Sequence, residues 1–389
     1  MALAYFDPTP IPTMQRPLDM HLTLSLAGYG RHAAAWRVSS LVGQSGALPR
    51  YDALVGQAQA ALFDGVFLAS HRGADALQPD TLPMLGTLVA QTSHIGLGAT
   101  VDIAHTEPFH AARAFAVLDN LSSGRTAWLL DLTVPAAGDP DFAHRPALDV
   151  EAHHARAEEY IGVAMRLWDS WEQHAVVVDK AAGIFADDSR IHPIHHRGTH
   201  FTVRGPLTAV RPVQGHPVIV VGDMSAAGQR IAARFADVFI ASCASIDEAA
   251  ALASGLRAQA EAHGRNPRAL RILVDLVPVL AETTAAARDR EATLDSMLDP
   301  QAPRDDALRF VGTPQDCSDF MAAWHAAGAC DGFNLAPAVL PDDIAALADG
   351  LVPLLQKRGL FRTGYAAATL RDHLGLPMPL NSFSAESVR

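Results

Sequence analysis

Short, nearly unbroken apolar runs alternating with longer amphipathic segments constrain this 389-residue chain more than any single motif. Residues 20–27 (MHLTLSLA), 65–70 (GVFLAS), 95–101 (IGLGATV) and 126–133 (TAWLLDLT) read as strands. After a break, so do 217–222 (PVIVVG), 237–242 (DVFIAS), 271–280 (RILVDLVPVL) and 332–335 (GFNL). Helical spacing occupies 51–63, 80–92, 108–121, 154–171, 226–235, 246–263, 283–298, 314–327 and 342–358. Strands that are apolar throughout belong to a parallel sheet covered on both faces, whereas a half-solvated sheet alternates. Eight strand–helix units favour closure over an open doubly wound sheet. The expected fold class is therefore α/β, a single (β/α)8 TIM barrel over residues 18–362. An insertion at 174–216, between helix 4 and strand 5, carries a polar hairpin in HRGTHFTVRGPL. The C-terminal tail, 363–389, lacks periodicity and is expected to wrap the outside.

With 49% hydrophobic and 19% charged residues, the chain is too apolar to be disordered. Its net charge of −12, with no Lys/Arg run, argues against a nucleic-acid partner. Cys243, Cys317 and Cys330 are far apart and form no C-x-x-C, which suits buried thiols in a reducing compartment. The N-terminal residues lack the apolar core of a signal peptide, and no run of about 18 apolar residues suggests a membrane span. A soluble cytoplasmic protein is expected.

A barrel locates its chemistry at the C-terminal ends of its strands without naming the reaction. Polar or unusual residues follow five of those ends: 30–37, 70–72, 102–107, 131–133 and 222–228. In GDMSAAG (222–228) a strand runs into a helix behind a hydroxyl. Free N–H groups there suit a phosphate, with Ser225 adding a hydrogen bond; equally, Ser225 is a plain helix cap. His192, His195, His196 and His200 sit in the inserted hairpin and read as hydrogen-bonded loop residues, so no metal site is expected. His153 and His154, near the start of the fourth helix, face either solvent or the barrel mouth.

Several stretches together resemble one family. They are GRHAAAWR (30–37), EPFHAARAFAVLDNLSSGRTAW (107–128), ARAEEYIGVAMRLWDSW (155–171), HPIHHRGTHFTVRGPL (192–207), FVGTPQDC (310–317), GACDGFNLAP (328–337), and LVPLLQKRGLFRTGY with TLRDHLGL (351–376). The chain resembles the bacterial-luciferase-like flavin monooxygenases, in the branch with nitrilotriacetate, dibenzothiophene-sulfone and long-chain alkane monooxygenases. The resemblance implies a (β/α)8 barrel and a homodimer. It also implies FMN, used as weakly held FMNH2 from a separate NAD(P)H:flavin reductase, with O2 oxygenating a small substrate that often contains sulfur or nitrogen.

Carried over residue by residue, it places His32, Trp36 and Arg37 on the substrate side, although Trp36 and Arg37 also read as packing and a surface cation. Ser70, Asp102, Leu129, Val150, His154, Asp223, Met224 and Ser225 fall at cofactor positions, where the chain departs from the family. Ser70 replaces an aspartate, Asp102 lies where Ser/Thr are usual, and Leu129 replaces an asparagine. Val150 and His154 stand for a His-x-x-x-Tyr, and Asp223 replaces a phosphate-loop glycine; Ser225 is retained. Three readings stay open: a working monooxygenase, a flavin-poor non-catalytic paralogue or partner subunit, and a deazaflavin-dependent oxidoreductase.

Overall fold

Parallel pairing closes the sheet as the apolar runs require. In the computed structural model, which describes residues 20–42, 51–69, 80–134, 148–299 and 307–386, β1 (His21–Leu26), β2 (Gly65–Leu68), β3 (Gly96–Asp102) and β4 (Thr126–Asp131) pair in sequence order. The insertion supplies two antiparallel hairpins, β5 (Val176–Asp179) with β6 (Ile184–Ala186) and β7 (His196–Arg197) with β8 (Thr202–Val203). The barrel resumes with β9 (Val218–Val221) against β4, then β10 (Val238–Ala241) and β11 (Arg271–Leu280). β12 (Leu308–Gly312) extends the rim, and β13 (Gly332–Leu335) pairs with both β11 and β1.

Strand β11 is long because it has two tasks. Arg271–Val274 pairs with β10, while Leu276–Leu280 projects beyond the ring and pairs with β12. β12 was missed in the sequence because LRFVG is only half-buried on this rim and lacks a core strand's apolar run. The β5–β6 hairpin was missed for a related reason: it is largely exposed.

Helices α1 (Asp52–Ala60), α2 (Thr81–Gln91), α3 (Pro108–Leu121), α4 (Val150–Asp169), α5 (Ala226–Phe235), α6 (Ile246–Ala262), α7 (Thr284–Ser296) and α8 (Pro314–Ala326) surround the strands. Their starts are set by capping side chains, as at Asp149, Ser225, Ser245, Thr283 and Thr313. Asp149 starts α4 one turn earlier than the sequence reading, so Val150 and His154 both belong to the helix. The segment read as one helix at 342–358 is broken: α9 (Asp342–Ala345) passes through a π turn (Ala346–Leu351) into α10 (Val352–Lys357). Short helices α11 (Leu370–His373) and α12 (Ser382–Glu386) lie in the tail. Among the described residues, no helix is long and apolar enough to cross a membrane.

Alternate residues of each strand face the barrel interior. Phe67, Ala127, Leu129, Val218, Val220, Val238 and Leu273 form an inner cluster that includes Leu370, Leu374 and Leu376 from the tail. Two glycines make room for it: a Cβ on Gly96 would lie 2.4 Å from Leu370 Cδ1, and one on Gly98 2.6 Å from both Leu129 Cδ1 and Phe67 Cδ1. The tail does follow the outer surface, where Asn381 Nδ2 donates to Asp169 O (2.8 Å) and Phe383 stacks on His192. Its first helix, however, also plugs the base of the barrel. Arg371 holds it there with a two-pronged pair to Asp237 (3.0 and 2.6 Å), and Arg271 Nε donates to Leu374 O (2.7 Å).

The tail therefore belongs to the core, and truncating Leu370 to Ala should cost about 2–5 kcal/mol in a urea titration. A shift within the error of the measurement would show that the plug is dispensable. The tail's second anchor is acid-sensitive. Burial alone would push the Asp169 carboxyl up, but His216 (2.9 Å) and Arg211 (3.2 Å) outweigh it and hold it below the usual carboxylate range. The unfolded chain takes up this proton first as pH falls, so the contribution is complete above the unfolded pKa of about 3.9 and is lost below it. Asp169→Asn should lower stability at neutral pH and flatten its decline in acid, read as urea midpoints across the two regimes.

Candidate active site

A cavity of about 780 Å3 opens at the C-terminal ends of the strands. Strand alternation builds it. Leu129 and Asp131 on β4, Val220 on β9 with Gly222 just past its end, and Ile240 on β10 with Ser242 just past its end are i, i+2 pairs whose second members reach the mouth. Leu129, Val220 and Ile240 make an apolar wall, while Ser25, Thr100, Asp275 and Asn334 line the cavity with polar groups. This size and this mixture suit a small molecule or an aromatic cofactor.

The polar part is preorganised. Thr23 Oγ1 donates to Asn334 Oδ1 (2.9 Å), and Asn334 Nδ2 donates to Asp275 Oδ1 (2.7 Å). These three residues are buried on β1, β13 and β11, where parallel register sets Thr23 beside Asn334 and Asn334 beside Asp275. Arg31, just after β1, reaches Asp275 Oδ2 at 3.5 Å and lines the cavity. Sequence reasoning missed Asp275, Asn334 and Ser25. Their one signal was a polar residue inside an otherwise apolar strand, at the phase that faces inward.

The turn from β9 into α5 joins the cavity at Gly222, Asp223, Met224 and Ser225. Ser225 Oγ accepts from Gly228 N (3.0 Å), the capping arrangement. Asp223 turns toward the helix start: Oδ1 accepts from Ser225 N (2.8 Å), and a Cβ on Gly228 would meet Asp223 Cγ at 2.4 Å. Its carboxylate thus lies where the helix dipole and a free N–H would attract an external anion. Two like charges about 4 Å apart repel by roughly 4 kcal/mol at an effective dielectric of about 20, before screening by solvent. The apolar wall and polar groups fit a flavin ring; the turn does not fit a terminal phosphate in this arrangement.

His154 faces the same carboxylate from α4. Its Nδ1 lies 2.6 Å from Val150 O and must donate, because a carbonyl only accepts. Its Nε2 is 3.4 Å from Asp223 Oδ2, a contact that becomes a charged pair when Nε2 also carries a proton. Val150, exposed in the first turn of α4, lines the mouth, so the structure brings Leu129, Val150, His154, Asp223, Met224 and Ser225 to one cavity.

The other expected site residues lie elsewhere. Asp102, at the end of β3, accepts from Ala104 N (2.8 Å) and contacts His105 Nδ1 (2.6 Å), outside the described lining. His32 is buried, with Nε2 2.9 Å from Asp295 Oδ1 and Nδ1 accepting from Ala34 N (3.2 Å). Trp36 is exposed with the Arg37 guanidinium 4.7 Å from its ring centre, and none of these three lines the cavity. Ser70 lies outside the described residues. In the insertion, His192 and His196 pair with Glu172 (2.7 Å) and Glu159 (2.9 Å), which ties the hairpins to α4 and the segment after it. His153 faces neither solvent nor the cavity: it is buried, and burial lowers its pKa.

The model of the luciferase-like monooxygenase family matches residues 31–309. N-acetyl-S-(2-succino)cysteine monooxygenase of Bacillus subtilis (strain 168) is 31% identical, over 94% of this chain and 98% of that protein. Dibenzothiophene-sulfone monooxygenase of Rhodococcus erythropolis is 33% identical, over 79% of this chain and 81% of its own. Among solved structures, EDTA monooxygenase from Chelativorans sp. BNC1 superposes with a TM-score of 0.82 at 25% identity, covering 92% of this chain and 99% of that one. With the family match spanning most of the barrel and relatives above 30% identity along most of its length, this chain belongs to the luciferase-like monooxygenase family and is a flavin-dependent oxidoreductase.

Proposed function

We propose that the protein is a two-component monooxygenase that takes a reduced flavin from a separate NAD(P)H:flavin reductase and uses O2 to oxygenate a small organic substrate, sulfur- or nitrogen-containing compounds being the first to screen. The single observation that carries this reading is the cavity at the strand ends, with an apolar wall and a fixed polar network. When bound, reduced flavin supplies the electrons that activate oxygen. The chain's own residues do the rest. Leu129, Val220 and Ile240 offer one ring face an apolar surface and keep water from it. Asn334, held by Thr23 and Asp275, presents its polar edge without reorganising, and Arg31 brings a positive charge beside Asp275. His32, Trp36 and Arg37 lie within six residues after Arg31, and we assign them to the outer substrate side rather than to the ring pocket. The same reading places the protein in the cytoplasm as a homodimer, without nucleic-acid or membrane partners. Its three cysteines are unpaired and buried, and burial pushes Cys243 up to about 11 and the other two up to about 12.

Asp223 favours a second reading, a paralogue that has lost flavin and serves as the partner subunit of a catalytic homologue. Anaerobic titration with reduced flavins separates the two. The monooxygenase reading expects saturable binding and, with an added reductase, NADH-driven oxygen uptake coupled to a substrate. A folded chain that binds no flavin in either redox state and pairs with a homologue would establish the partner-subunit reading instead. Ser242 is exposed within the cavity, so Ser242→Trp fills open space rather than the core. It should weaken reduced-flavin binding by roughly tenfold or more, a loss of about 1.4 kcal/mol, with the urea midpoint unchanged. Unaltered binding would move the flavin site out of this cavity.

A further inference from the structure

We infer that Asp223 stands in the place of a cofactor phosphate, so that the site accepts a flavin ending in a free ribityl hydroxyl, of the riboflavin class, at least as well as FMN. This inference rests on the flavin reading above and names which flavin. The carboxylate accepts from Ser225 N and packs over Gly228, so the start of α5 already holds an anion supplied by the chain itself. The Ser225 hydroxyl oxygen, the other group expected to reach a phosphate, is engaged in the cap, accepting from Gly228 N. What remains facing the cavity is Asp223 Oδ2, an acceptor that among the described residues His154 Nε2 approaches, at 3.4 Å. A terminal hydroxyl can donate to that oxygen, whereas an ionised phosphate meets it acceptor against acceptor and charge against charge. The rest of the cavity has the same bias: among the described residues, Asp131 and Asp275 line it with Asp223, against one arginine, Arg31.

The test is equilibrium binding of riboflavin and FMN, each oxidised and anaerobically reduced, to the wild-type protein and to Asp223→Asn and Asp223→Gly. Asparagine keeps an acceptor for Ser225 N, which guards against a variant that misfolds; it removes the charge and turns the cavity-facing oxygen into an N–H donor, from which a hydroxyl can accept instead. The expected result is wild-type affinity for riboflavin equal to or greater than that for FMN. Asp223→Asn should tighten FMN by roughly tenfold or more while riboflavin changes by no more than about twofold, and Asp223→Gly should show the same ordering. Wild-type preference for FMN, or an FMN-to-riboflavin ratio indifferent to Asp223, would overturn the inference and leave the flavin reading standing. Riboflavin failing to bind while the variants gain FMN would overturn the choice of ligand. Failure of every variant to bind either flavin would overturn both this inference and the flavin reading.

Discussion

A closed ring of parallel strands gives each strand two or three inward positions, and this protein divides them by height. At the base the ring is filled. Glycines on β3 clear space, aliphatic residues on the other strands close in, and three leucines arrive from about a hundred residues beyond β11's start. At the top it is left open, with hydroxyls, amides and carboxylates at the same inward phase. The cavity exists because the base is packed by a segment outside the barrel repeat. Leu370 of the plug fills the place a Cβ on Gly96 would take, and Leu129 and Phe67 of the neighbouring strands fill the place beside Gly98.

Buried charge is organised by the same division. Carboxylates at the base are saturated: Asp237 by Arg371 and Ile219 N, and Asp64 by His21, Arg362 and Leu22 N. Such pairs do not add much to stability over a well-packed apolar substitute, but removing one partner strands the other in a dry site. They fix where the tail can lie. The carboxylates near the mouth keep oxygens toward the cavity, and so help decide which ligands are tolerated.

The alternation of apolar runs and helical segments was legible enough to yield the barrel, because burial on both faces of a parallel strand leaves a direct trace in residue type. β12 left no such trace, since a rim strand is half solvated. The plug was hidden too: TLRDHLGL carries three leucines without a period that says what they touch. The family resemblance pointed to Leu129, Val150, His154 and the Asp223–Ser225 turn, which the structure gathers around one cavity. Asp275 and Asn334 were overlooked because a lone polar residue in a strand gains meaning only when register sets it beside partners on other strands.

The sequence by itself determined the strand–helix order of the barrel and the cap at Ser225, because these depend on residue type and short-range spacing. Only the tertiary structure decided that Asp223 turns onto the start of α5 and toward His154, since a side chain next to a strand end can face either way. It also decided that the tail enters the barrel and that Thr23, Asn334 and Asp275 form one network. Each of these joins residues far apart in the chain, and their meeting is fixed by ring closure and register rather than by any local preference.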